Sequence, residues 1–145
     1  MNGLKELIGQ FSAKPQRLLL IDSIGAAVTV ALLLGVVKTN PLLFGVPPTI
    51  INYLSAIAVV FCLYSLTSYF APNNKHKLLL KIISVANATY AIITWVTLGY
   101  NLAGITTLGV IYFLSESAII LTLVYIEFNV AKSISRADAW KSNNQ

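Results

Sequence analysis

Three carboxylic acids, Asp22, Glu116 and Glu127, fall inside long apolar runs of this chain. An acid in such surroundings is costly to bury, and it ordinarily faces a partner, a cavity or a transport path. No Lys or Arg lies deep in those runs. The acids are therefore expected to hold protons or to meet a cation. A proton or a small cationic or amphipathic ligand is their natural counterpart.

Helical register decides which polar residues can meet. Glu116 and Glu127 are 11 positions apart, close to three whole turns, with Leu123 between them on the same face. Their axial separation is about 16 Å, so they lie at different depths. Glu127 lies about 7 Å from the end of its run at Lys132, and Asp22 about 7 Å in from Arg17. The two acids are expected in one layer. Asn87, six residues after Lys81, belongs near it, and so do Tyr64 and Ser65. The expected lining is Asp22, Tyr64, Asn87 and Glu127. Glu116 reaches deeper, with Tyr90, Thr94 and Tyr112 as neighbours.

Further rows follow the same period. Ser84, Asn87, Tyr90, Thr94 and Thr97 form a polar stripe. Asn52, Ser55 and Cys62 share another face, with Tyr53 and Tyr64 together elsewhere on that helix. Ser23, Ala27, Ala31 and Gly35 make a small-residue row that allows close helix approach, within a bundle or in a dimer. The acids themselves keep two readings open. They hydrogen-bond across helices as packing, or they form a site.

The elements that must position these groups are four apolar runs, residues 18–37, 49–70, 78–100 and 102–131. The first, about 20 residues long, spans about 30 Å as a helix, one hydrocarbon thickness. Lys38-Thr39-Asn40-Pro41 closes it, and Pro47-Pro48 opens the second, since proline suits a first helical turn. Gly99-Tyr100-Asn101 reads as a tight turn that makes the last two helices antiparallel neighbours. The run near the N-terminus is long for a signal peptide, is interrupted by Asp22 and has no clear cleavage site.

Of the ten Lys and Arg residues, only Lys38 lies between the first and second or the third and fourth runs. The other nine lie at the two ends and in the middle loop, a positive-inside pattern that predicts cytoplasmic termini. Residues 1–14 read as an amphipathic helix on the inner leaflet, with Leu4, Leu7, Ile8 and Phe11 on one face and Lys5, Glu6 and Gln10 between. Residues 132–145 read as a cytoplasmic tail with Ile134, Ala137 and Trp140 on one face. Partner docking is the alternative for both segments. The apolar loop from Pro41 to Pro48 is expected to dip into the interface or to cap a site.

Composition agrees with this reading. The 145 residues are 57% hydrophobic and 10% charged, against about 25% charged in an ordinary soluble domain. The mean hydropathy is +0.76. The net charge of +5 reflects topology and does not point to nucleic acid. Lone Cys62 has neither a disulfide partner nor a metal-ligand neighbour. His76, in Asn73-Asn74-Lys75-His76-Lys77, is expected as a solvated loop residue.

The expected fold is all-α: one integral membrane domain over residues 1–145, a four-transmembrane-helix bundle preceded by the short amphipathic helix. A bacterial inner membrane is the favoured location. No cofactor and no metal site are expected. No zinc spacing, nucleophile elbow or Walker motif is present, which weighs against an enzyme. The leading function is binding or transport of a small cationic or amphipathic ligand, with proton coupling an option. The alternatives are a non-catalytic membrane subunit, in a homodimer or with another protein, and an acid/base enzyme acting on a lipid or isoprenoid.

Overall fold

The computed structural model describes residues 2–101 and 103–143. The expected start of the fourth run at Leu102, and the expectations on Met1, Asn144 and Gln145, lie outside the described residues. So do the side chains of Leu4, Lys5 and Lys141.

Helix α1 (Asn2–Ala13) precedes α2 (Pro15–Leu32), which continues as a π-helical turn over Leu33–Val37. A short α3 (Pro41–Phe44) leads to α4 (Pro48–Tyr69). Then come a 3-10 turn (Asn73–Lys75), α5 (His76–Gly99) and α6 (Thr107–Asn143). Proline occupies a first-turn position in α2, α3 and α4, where its missing N–H costs no intrahelical bond.

Four helical stretches are long and apolar enough to cross a membrane: Pro15–Val37, Pro48–Tyr69, His76–Gly99 and Thr107–Ala137. Helix α2 packs on α4, and α5 packs on α6. Reciprocal bonds join the first pair. Ser23 Oγ donates to the Cys62 carbonyl (3.3 Å), and Cys62 Sγ donates to the Ser23 carbonyl (3.4 Å). Ser84 Oγ joins the second pair through the Val124 carbonyl (3.1 Å), and Trp95 Nε1 joins it through Ser117 Oγ (2.9 Å).

Polarity is distributed inside out. Ser84, Asn87, Tyr90 and Thr94, four members of the α5 stripe, are buried. Large apolar residues such as Ile24, Val60, Val85, Ile92 and Ile119 face outward, each more than half exposed. An exposed apolar surface of this extent fits a hydrocarbon solvent and would be an aggregation liability in water.

Two apolar clusters fill the ends of the bundle. One gathers Leu33, Val37, Phe44, Ile51, Leu54 and Phe113. The other gathers Leu18, Leu19, Leu80, Ile83, Val130 and Ala131, with Ile8, Phe11 and Ile134 packed against it. Part of the apolar face of α1 is thus spent on the protein itself. Residues 132–143 continue α6 without a break. Ile134 takes part in the packing, whereas Trp140 stays 71% exposed.

Two features differ from the expectations. The α5–α6 connection is longer than a tight turn, because α6 starts at Thr107. Thr106 caps that helix, its Oγ1 accepting from Gly109 N (3.1 Å) while donating to the Leu43 carbonyl. The 41–48 loop docks on this connection, with Phe44 and Val46 buried and the Phe44 carbonyl accepting from Thr106 N. Gly45 makes the docking possible. Its φ is +67°, and a Cβ there would overlap the Gly104 carbonyl oxygen. The second difference is His76, which is fully buried at the start of α5, where a solvated residue was expected. The 3-10 turn before it folds the imidazole inward, and among the described residues neither ring nitrogen has a hydrogen-bond partner.

Candidate functional site

Each of the four long helices contributes one group to a buried polar layer between the two apolar clusters. Asp22 on α2 accepts from Ser65 Oγ on α4 (2.5 Å, at Oδ2) and from Asn87 Nδ2 on α5 (2.6 Å, at Oδ1). Glu127 on α6 stands near Asp22 and Asn87. All four side chains are buried, Ser65 and Glu127 completely.

The donor inventory of this layer is short by one. Ser65 and Asn87 both donate to Asp22, and neither Glu127 oxygen receives a bond from a protein donor of standard geometry. Two carboxylates side by side have no hydrogen between them, so the pair is closed by a shared proton, a bridging water or a small cation. No basic side chain takes that place: Arg17 and Lys132, the nearest along α2 and α6, are exposed.

Asp22 and Glu127 therefore meet with Asn87, as register requires. Tyr64 does not join them. Its hydroxyl reaches the Leu79 carbonyl at 3.5 Å, and the neighbouring Ser65 fills the place expected for it. One residue is 100° of helical rotation, enough to carry Tyr64 out of the layer.

Glu116 stands higher on α6. Its Oε1 accepts from the Tyr90 hydroxyl (3.4 Å), and Thr29 on α2 stands close to the carboxyl. Its Oε2 is buried without a partner, as are the Tyr112 hydroxyl and Thr94 Oγ1. Thr94 lies beside Tyr90, and Tyr112 packs edge to face on Phe44 and Phe113.

A cavity of about 350 Å³ connects the two levels. Asp22 and Asn87 line it at one level, and Tyr90, Tyr112 and Glu116 line it at the other. Ala58, Phe61, Ile120 and Leu123 supply apolar wall between them. Glu127 and Thr94 stand behind this lining. Val28 and Leu32 on α2, with Ser115 and Ile119 on α6, also line the cavity and are exposed. Helices α2 and α6 touch little, so the cavity opens sideways between them.

Sequence reasoning missed Ser65 as the α4 member of the layer, and it missed Thr29 and Phe61. Register had placed Ser65 near the layer, and the larger tyrosine beside it was preferred. Nothing in the sequence marks Phe61, one of many apolar residues on α4. Among the described residues no group of three His, Cys, Asp or Glu side chains is arranged to hold a metal ion.

The fold and site together define a class: an all-helical bundle, apolar enough on four helices to cross a bilayer, around a cavity with carboxyl groups at two levels. No family profile matches the chain, and no curated protein or solved structure matches it either.

Proposed function

We propose that the protein is an integral membrane protein that binds, and in a transport cycle carries, a small cationic or amphipathic ligand in this cavity. One observation carries the reading. Glu116 lines a cavity that has no Lys or Arg in its lining, and one of its carboxyl oxygens is buried without a partner. A cation entering there meets a charge partner in surroundings of low polarity, where such an attraction is strong. The Asp22–Glu127 pair, facing the same cavity through Asp22, is suited to hold the proton or the small cation of a coupled step. The charge pattern of the loops supports cytoplasmic termini, and a bacterial inner membrane is the location proposed.

A hydrophobic carbodiimide tests the site, because it modifies protonated carboxyls in apolar surroundings. Mass spectrometry should find the adduct on Glu116, with protection by a lipophilic cation such as tetraphenylphosphonium. Modification that the cation does not reduce would reject the ligand site.

A separate observation supports a second reading, a non-catalytic subunit or homodimer. Ala27, Ala31 and Gly35 lie exposed along α2, and a Cβ on Gly35 would meet nothing within 4 Å. Within the chain only Ser23 of that row packs closely, against Cys62. Such a surface suits a helix from another chain. Stoichiometric co-purification of a second membrane protein in mild detergent, with unchanged function in Glu116→Gln, would favour this reading over the first.

A further inference from the structure

Resting on the ligand-site reading, we propose that the ligand is a single-chain amphiphile with a quaternary ammonium head. The head lodges against Glu116, and the chain leaves through the gap between α2 and α6.

The head group follows from the rings around Glu116. Phe61, Tyr90 and Tyr112 all line the cavity. Phe61 and Tyr90 meet edge to face, with centroids 6.1 Å apart and planes inclined at 63°. The hydroxyl of Tyr90 bonds one Glu116 oxygen, and the other oxygen is left free. A carboxylate among aromatic rings attracts a cation by its charge and, where a ring face is turned to it, by the ring quadrupole, the combination that recognises quaternary ammonium groups.

The balance of rings and acceptors disfavours other cations. A primary ammonium brings three N–H donors. Both Asp22 oxygens already accept, from Ser65 and Asn87. Beside Glu116 the unpartnered acceptors in the lining are its own Oε2 and the Tyr112 hydroxyl, fewer than the three donors of a primary amine, which would also turn less of its surface to the rings. A quaternary head carries no donor and leaves none unpaired. The lining also holds no Lys or Arg to meet a phosphate, which disfavours the zwitterionic head of a phosphocholine lipid.

The chain follows from the sideways opening. Val28 and Ile119 line the cavity while lying 52% and 64% exposed. They mark its mouth on the surface that hydrocarbon would cover. An alkyl chain passing between them stays in apolar surroundings along its whole length. The ligand reaches the site after partitioning into the bilayer, without crossing the polar loops.

Binding to the full chain in nanodiscs of phosphatidylethanolamine and phosphatidylglycerol tests this. The probe is dodecyltrimethylammonium, specific binding is the excess over empty nanodiscs of the same lipids, and the first variant is Glu116→Gln. That variant should weaken binding about 10- to 100-fold. Tyr112→Leu should weaken it about tenfold, whereas Tyr112→Phe, which keeps the ring, should stay within about twofold. Dodecylamine and dodecylphosphocholine should each bind at least about tenfold more weakly. Tetramethylammonium, without a chain to concentrate it in the bilayer, should bind at least about 100-fold more weakly.

Equal, Glu116-dependent binding of dodecylamine would overturn the quaternary head while leaving the cation site intact. Equal binding of dodecylphosphocholine would overturn the requirement for net positive charge. Tetramethylammonium binding as tightly as the probe, or unchanged binding in Val28→Trp/Ile119→Trp, would overturn the lateral route. If no cation shows Glu116-dependent binding, this inference and the ligand-site reading fall together.

Discussion

Asp22 is the hub of the polar layer, and replacing it by valine should be among the most damaging single changes inside the bundle. Its two oxygens accept from Ser65 and Asn87, and Glu127 is its third neighbour. Valine leaves three polar groups, on three other helices, without their partner. Interhelical hydrogen bonds in membrane proteins are worth about 0.6 kcal/mol on average and about 1.7 at most. The two bonds, with a third where a proton is shared with Glu127, give about 1–5 kcal/mol, the upper part applying if the orphaned groups find no water in the cavity. Ser65→Ala removes one donor and should cost about 0.6–1.7 kcal/mol. Glu127→Gln should be nearly neutral, because a glutamine amide replaces a protonated carboxyl in shape and can still donate to Asp22. Reversible unfolding in mixed micelles of rising dodecyl sulfate fraction, followed by far-UV circular dichroism, would rank the three variants. Asp22→Val as stable as the parent would refute the hub. Glu127→Gln as damaging as Asp22→Val would refute the shared proton and favour a bound cation between the two acids.

Other outcomes follow from single contacts. Gly45→Ala should cost at least about 2 kcal/mol, because it combines a positive φ with a Cβ driven into the Gly104 carbonyl; Gly35→Ala, with open space around it, should change the same unfolding midpoint little. Thr106→Ala should cost about 1–2 kcal/mol through loss of the α6 cap and of the bond to the Leu43 carbonyl. His76→Leu should match or exceed the parent in stability, since the imidazole is buried without partners, whereas His76→Asp should fall well below it; a neutral His76→Asp would mean that the side chain is solvated after all. In a cysteine-free background, an impermeant maleimide should label Lys38→Cys from outside intact cells and Lys77→Cys only after lysis. The reverse pattern would invert the proposed topology.

The four apolar helices, and the common layer of Asp22, Asn87 and Glu127, were legible in the sequence because both depend on quantities local to the chain. Hydropathy over about 20 residues reports a span, and the rise per residue converts distance from a helix end into depth. Depth alone was enough to bring two acids on different helices together. Rotation about each helix axis is set by packing against neighbours, and there the sequence was ambiguous. Tyr64 and Ser65 sit at nearly the same depth, and only the α2–α4 contact turns Ser65 inward and Tyr64 toward Leu79. The sideways cavity is wholly tertiary. It exists because α2 pairs with α4 and α5 with α6, leaving α2 and α6 apart, and no periodicity in one helix encodes the gap between two pairs. The burial of His76 and the docking of the 41–48 loop on Thr106 are likewise tertiary events that no local pattern encodes. The sequence thus determined which groups lie at which depth, and packing decided which of them meet, which face the cavity, and where that cavity opens.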